Sequence, residues 1–152
     1  EWWTLLFFML LFAQAGALHY TGATDTAAGY LAKVSGNNPL NLLVLIISVS
    51  AVGSSILDNV VLVTAFIPVI QSFKNIGFNL QPFWWALLFG GCLGGNITLV
   101  GSTANIVALG ILEKERNIKL TFFRWFWVGL AVGIVTTVIA ALMLIILPIY
   151  HA

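Results

Sequence analysis

The chain has 152 residues, of which 61% are hydrophobic and 7% charged, with a mean hydropathy of +1.05; soluble domains carry about 25% charge, so the composition reads as an integral membrane protein. A net charge of +1 without any basic stripe excludes a nucleic-acid surface. The single Cys92 excludes a disulfide or a cysteine-built metal site within one chain.

Residue 1 is Glu, and the first apolar run follows it with no basic leader and no small-residue cleavage site. A segment of a longer polypeptide is therefore expected, rather than a signal peptide. Residues 2–18 are almost continuously apolar and long enough for a transmembrane helix, which needs roughly 17–25 residues, with Trp2 and Trp3 as interfacial anchors. Gln14 reads as a partner for a neighbouring helix. The composition then turns mixed and predicts a surface helix over 24–36, opened by Thr24 or Asp25 as N-cap and closed by the turn residues 35–39. His19 and Asp25 are compatible with a proton relay, but a solvated loop is the simpler reading.

Residues 41–72 hold two apolar limbs, 42–52 and 60–70, that meet at Gly53, Ser54, Ser55, Asp58 and Asn59. The second limb covers only about 18 Å at 1.5 Å per residue, against a hydrocarbon core roughly 30 Å thick. One very long helix would leave Asp58 in mid-membrane on regular backbone, at about 2.5–3.5 kcal/mol. A re-entrant hairpin with its tip at 54–60 makes Asp58 the cap of the second limb, where a negative charge is favoured. The hairpin explains the sequence better.

Residues 82–112 are long enough to span, yet they contain Gly90, Gly91, Gly94, Gly95 and Gly101 among small polar side chains. Each Gly costs about 1 kcal/mol against Ala in a helix interior, so an interrupted transmembrane helix is expected, with its break at 94–103. Backbone groups freed by a break are tolerated in a bilayer only where protein buries them or a polar cavity faces them, and such breaks form the binding sites of secondary transporters. Gly90 and Gly94 fit the small-residue spacing of close helix packing. Residues 113–119, with Arg124, carry four of the six Lys and Arg; the positive-inside rule makes loop 113–124 cytoplasmic. Thr121 opens a last transmembrane helix over 121–148, behind an aromatic belt at 122–127, and the C-terminus falls on the outer side. Both feet of the hairpin are then outside and its tip points inward.

Two polar clusters approach the bilayer middle: Ser54, Ser55, Asp58 and Asn59 from the hairpin tip, and Asn96, Thr98, Ser102, Thr103 and Asn105 from the break. Hydroxyls, carboxamides and freed carbonyls are hard oxygen ligands, suited to Na⁺ or to an oxyanion and unsuited to soft metals. Asp58 is the one ionisable side chain placed in the membrane interior, able to exchange a proton or to neutralise a cation. No hydrolase elbow, metal-binding His pair or phosphate loop is present, so no enzyme is expected.

The runs from Ser55 through Asp58, Asn59 and Thr64 to Pro68, and from Gly90 through Asn96, Thr98, Ser102, Thr103 and Asn105 to Gly110, resemble the arsenical-permease and NhaD-type branch of the ion transporter superfamily. That branch is related to citrate transporter-like permeases and dicarboxylate/sodium symporters. The opening around Trp3 is similar to the start of a repeat unit, so the resemblance covers nearly the whole chain. It implies an all-α membrane protein, one half of an inverted-repeat transporter with a re-entrant helical hairpin and an interrupted transmembrane helix, here the C-terminal repeat. The symporter relatives carry Ser-Asn-Thr at the hairpin tip where this chain has Asp58, Asn59 and Val60; Val61 stands where the branch usually has proline, a residue pre-organised for a first helical turn.

The residues and the resemblance together nominate Ser55, Asp58, Asn59, Asn96, Thr98, Ser102, Thr103 and Asn105 as substrate- or ion-binding. The expected activity is secondary active transport of an inorganic solute, an arsenite-type metalloid or Na⁺, coupled to protons, with Na⁺ or H⁺ as coupling ion and no other cofactor. The expected partners are the lipid bilayer of the plasma membrane, the missing N-terminal repeat of the same polypeptide and a second copy of the full-length transporter. The alternatives are an organic or dicarboxylate anion transporter of the same superfamily, or a non-transporting membrane scaffold subunit.

Overall fold

A run of Leu, Phe and Ala without proline is helical from end to end, and in the computed structural model, which describes residues 2–116 and 121–146, it forms α1 (Trp2–Tyr20). Most of its apolar side chains stand outward, with Trp2, Trp3, Leu5, Met9, Leu10 and Phe12 each more than half exposed and Phe8, Leu11 and Ala15 half-buried along one face. A helix hydrophobic on every side belongs in lipid or in a core; with no core around it, α1 is a lipid-facing helix. Gln14 is exposed too.

The chain bends by 70° into α2 (Ala23–Val34). The sequence points to Thr24 or Asp25 as its N-cap, whereas the structure gives that position to Gly22, which adopts a positive φ of 73°. The reason is that Thr24 turns inward and is buried, its Oγ1 lying 3.3 Å from His19 Nδ1. His19 is thus partnered by Thr24, and Asp25 stays exposed. A Schellman-type turn ends α2, with the Asn37 N–H donating to the Ala32 carbonyl at 2.9 Å and both Gly36 and Asn37 at positive φ.

Asn38 caps α3 (Pro39–Ile56), its carboxamide oxygen accepting from the Leu40 N–H at 2.9 Å, with Pro39 in the first turn. Leu57 and Asp58 interrupt the helix, and α4 (Asn59–Ser72) follows, continuing into a 3-10 turn over Phe73–Ile76. Each arm is longer than its apolar limb, because polar residues such as Asn41, Gln71 and Ser72 remain helical. After a turn through Gly77, at φ 92°, α5 (Gln81–Gly94) begins.

Three helices meet where side chains are missing. A Cβ at Gly90 would stand 2.6 Å from the Ile47 carbonyl oxygen, and one at Gly94 would collide with the backbone of Ala51. Rising positions on α3 thus meet rising positions on α5, so the two helices run parallel. The opposite order holds for α4, whose Asn59 and Val63 lie beside Gly91 while Ile67 shares a groove with Trp84. The chain therefore reverses at Leu57 and Asp58 as a hairpin. Its wide end is closed by Phe73, Phe78 and Phe83, with ring centroids 5.4–6.3 Å apart, over Leu42, Leu43, Ile46, Ile70 and Leu87.

The helix after the break is α6 (Thr103–Arg116), and α7 (Phe122–Ile146) closes the described chain. At 25 residues α7 is about 37 Å long, enough to cross a bilayer outright. Its Gly129 and Gly133 rest on Asn96 and Ile97 in the break. Measured along α7, the break lies about 13 Å from the Phe122 end and about 22 Å from the Ile146 end. Since Ser54 and Asn59 are level with the break, the hairpin tip stops inside the span. No other described helix packs on α6, whose Ile106, Val107 and Ile111 are exposed. The architecture is all-α, with no strand among the described residues. Lys119 of the basic loop, residues 147–148 of the last predicted span, Tyr150 and His151 lie outside the described residues.

The α3–α5 contact gives the first test. Gly94→Ala introduces a methyl group into the Ala51 backbone and is expected to destabilise the full-length protein by about 1–3 kcal/mol, the range for overpacking. Gly110→Ala, with open space around it, should be neutral or slightly stabilising. Thermal unfolding in detergent reads both, and equal melting temperatures would refute the contact.

Candidate functional site

The break begins where α5 tightens in its last turn: the Asn96 N–H reaches the Leu93 carbonyl at 3.3 Å and the Ile97 N–H the Gly94 carbonyl at 3.0 Å, both three residues back. The chain then leaves the helix, and its freed carbonyls need donors. Asn105, 8% exposed on the first turn of α6, supplies them, its Nδ2 donating to the Gly95 carbonyl at 2.9 Å and to the Thr98 carbonyl at 3.1 Å. Thr98 does the rest, accepting the Gly101 N–H at 3.0 Å on its hydroxyl and donating that hydroxyl to the Ser55 carbonyl. Ser102 starts α6, its Oγ accepting from the Ala104 N–H at 3.3 Å.

The hairpin tip meets the break through Ser54, which is fully buried and donates to the Gly91 carbonyl at 2.6 Å. Ser55 turns its hydroxyl back to the Val52 carbonyl at 2.6 Å, so it joins the site through its backbone oxygen. Asp58 is half-buried and caps α4, one carboxylate oxygen accepting from the Val60 N–H at 2.9 Å. Asn59 lies against α5, its Nδ2 donating to Cys92 Sγ at 3.6 Å. Its Oδ1 is buried beside Gly91 with no hydrogen-bond partner.

The glycines of the break make room for oxygens. A Cβ at Gly95 would lie 3.0 Å from the Gly101 carbonyl oxygen, 3.2 Å from Ser54 Oγ and 3.5 Å from the Gly91 carbonyl oxygen. One at Gly101 would meet the carbonyl oxygens of Ser54 at 2.6 Å and Gly95 at 2.7 Å. Four carbonyl oxygens and a hydroxyl thus lie close to the positions that two missing side chains leave. Oxygens of this kind are ligands for hard cations, and none of them suits a soft metal.

The residues nominated from sequence divide into three groups. Ser55, Thr98 and Asn105 form one hydrogen-bonded unit, and Asp58 and Asn59 lie at the tip beside it. Asn96 is exposed on the opposite side of the break, where it lines a cavity of about 440 Å³ with Asn105, Arg124, Trp125, Val128, Gly129 and Val132. Thr103 is exposed at the first position of α6, and Ser102 acts as its cap. What a list of polar side chains misses is the backbone contribution of Gly91, Gly95 and Gly101; the glycine spacing is the signal that carries it.

Long apolar helices with outward-facing hydrophobic side chains, a hairpin that stops inside the span and a broken helix beside its tip define an α-helical integral membrane protein with a re-entrant hairpin and an interrupted helix. The family model described as "Citrate transporter" (CitMHS) matches residues 1–151. The chain belongs to this family, within the ion transporter superfamily. It is 38% identical over 160 residues to an uncharacterized transporter of Synechocystis sp., covering 93% of this chain and 35% of that protein. An uncharacterized transporter of Mycobacterium tuberculosis is 35% identical over 147 residues, covering 95% and 34%. The P protein of Homo sapiens is 34% identical over 144 residues, covering 90% and 17%. The chain thus spans about a third of the length of the bacterial relatives it matches.

Asn105→Ala leaves the Gly95 and Thr98 carbonyls without their donor. The expected loss is about 1–3 kcal/mol of stability in the full-length protein, while Thr103→Ala should stay within about 0.5 kcal/mol. Unfolding curves of the two variants would have to coincide for this account of the break to fail.

Proposed function

We propose that the chain is one repeat of a secondary active transporter and that the space between Gly95 and Gly101 is its cation site, with Na⁺ as the ion. The observation that supports this reading is that oxygens of Ser54, Gly91, Gly95 and Gly101 lie close to the missing side chains of Gly95 and Gly101, with the unpartnered Oδ1 of Asn59 against Gly91. Asp58, with one carboxylate oxygen capping α4 and the other unassigned, supplies the negative charge that a cation needs nearby, or a proton-exchanging group if H⁺ is the coupling ion. In this reading loop 113–124 is cytoplasmic, the membrane is the plasma membrane, and the rest of the polypeptide completes the site from the other side, since midplane sites of inverted-repeat transporters lie between repeats. A homodimer of the full-length protein is the proposed assembly.

The inorganic-solute reading rests on Asp58 and Asn59 at the tip, the pattern of the arsenical and NhaD-type branch. Between its two solutes the geometry favours Na⁺. Uncharged arsenite needs free hydrogen-bonding groups, and those of Ser54, Ser55, Thr98 and Asn105 are engaged with backbone carbonyls. A second reading, favoured by the family description "Citrate transporter", makes Na⁺ or H⁺ the coupling ion and an organic anion the solute.

Gly95→Ala is the informative variant, because its methyl group occupies the proposed ion position while asking neighbours to move only slightly. In proteoliposomes of the full-length protein it should raise the half-saturating Na⁺ concentration about tenfold or more, the loss expected for interactions of roughly 1.5–3 kcal/mol with a charged group. Unchanged Na⁺ dependence would overturn the cation site. Uptake of citrate, Na⁺ flux and protection from arsenite, measured on the same preparation and host, separate the solutes; none of the three would leave the scaffold reading.

A lone repeat is expected not to transport. Reconstituted residues 1–152 should show no ion-driven flux where the full-length protein does, and comparable flux from the fragment would refute the need for a second repeat.

A further inference from the structure

The cavity on the far side of the break shares Asn105 with the oxygen cluster, but the rest of its lining differs in kind. We propose that it binds the phosphate of an anionic membrane phospholipid, with Arg124 as the charged anchor and one acyl chain lying along α7. Arg124 sits in the first turn of α7, where unpaired backbone N–H groups favour an anion and disfavour a cation. That turn has no acidic residue to offset it, and no carboxylate lines the cavity among the described residues. Trp125 lines it as well. Asn96 adds an exposed carboxamide. One permanent cation, an exposed carboxamide and no carboxylate among the described lining residues together call for an anion, and the guanidinium fork matches phosphate oxygens in pairs.

The remaining lining decides which anion. Val128, Gly129 and Val132 carry the cavity up α7 to a volume of about 440 Å³, more than a lone tetrahedral ion fills. Val128 is 62% and Val132 50% exposed, and they continue the lipid-facing surface of the helix. A ligand that satisfies both ends joins an anionic head to an apolar tail. Depth agrees, since Arg124 lies about 7–8 Å beyond Gly129 toward the end of the span, at the level where headgroups meet hydrocarbon. Anionic lipids of the cytoplasmic leaflet attract basic residues there.

The test uses the full-length protein taken from vesicles containing equal phosphatidylglycerol and phosphatidylcholine, with retained lipid read by native mass spectrometry. The wild type should prefer phosphatidylglycerol about fivefold through this one arginine, and Arg124→Gln should abolish the preference while Lys74→Gln, outside the cavity, keeps it. Val132→Trp fills the groove without changing charge and should cause the same loss; it decides the matter if Arg124→Gln does not fold. Retention unchanged in the groove-filled variant would overturn the proposal. So would displacement of the lipid by excess inorganic phosphate or citrate, which would assign the cavity to a soluble anion. The readout is bound lipid, so it stands or falls separately from the transport reading.

Discussion

Everything at the candidate site depends on how closely α3 and α5 approach. Two parallel helices cannot share a connecting turn, so their contact rests on surface shape and on the Ser54 hydrogen bond, and here the shape is an absence. Gly90 and Gly94 put the α5 backbone directly against the backbone of Ile47 and Ala51. In a bilayer, where apolar side chains gain little by leaving lipid for one another, such close backbone contact is a main source of helix adhesion. It also sets the register, bringing Ser54 level with Gly91 and Ser55 level with Thr98. A side chain at either glycine would push the hairpin tip away from the break.

Once tip and break are level, each satisfies polar groups that the other exposes. Ser54 and Thr98 donate hydroxyls across the gap in opposite directions, one to α5 and one to α3. Asn105 ties down two carbonyls from the C-terminal side. Irregular backbone at this depth survives because these three side chains take up the demand that hydrocarbon cannot meet. The Gly91 and Gly95 carbonyls beside the proposed cation position are thus already held by hydrogen bonds from Ser54 and Asn105.

Much of this was legible in the sequence, for reasons that can be named. Apolar run length gives the long helices, and the glycine cluster at 90–101 gives the interruption, because few other causes concentrate glycines in a span. Asp58 could be read as a cap since a carboxylate in mid-helix would be so unfavourable. The cap of α2 was not legible: Thr24 and Asp25 fit the position by type, and only the inward turn of Thr24 toward His19 moves it to Gly22. The apolar runs 42–52 and 60–70 are shorter than the helices that contain them, because hydropathy marks the apolar stretch, while helix continues through polar residues wherever its hydrogen bonds are closed. The division of the polar residues into cradle, caps and far-side cavity depends on rotation about the break. Spacing alone carries no information on that rotation, which is why Asn96 and Thr98, two residues apart, end on opposite faces.

Asn105 belongs to α6, but the carbonyl oxygens it holds belong to the loop before it. Among the described residues no other helix packs on α6, so its tie to the rest of the chain runs through this carboxamide and the intervening loop. The Gly95 carbonyl oxygen that Asn105 holds also lies close to Gly101. A single side chain thus couples the helix after the break to the chain that precedes it.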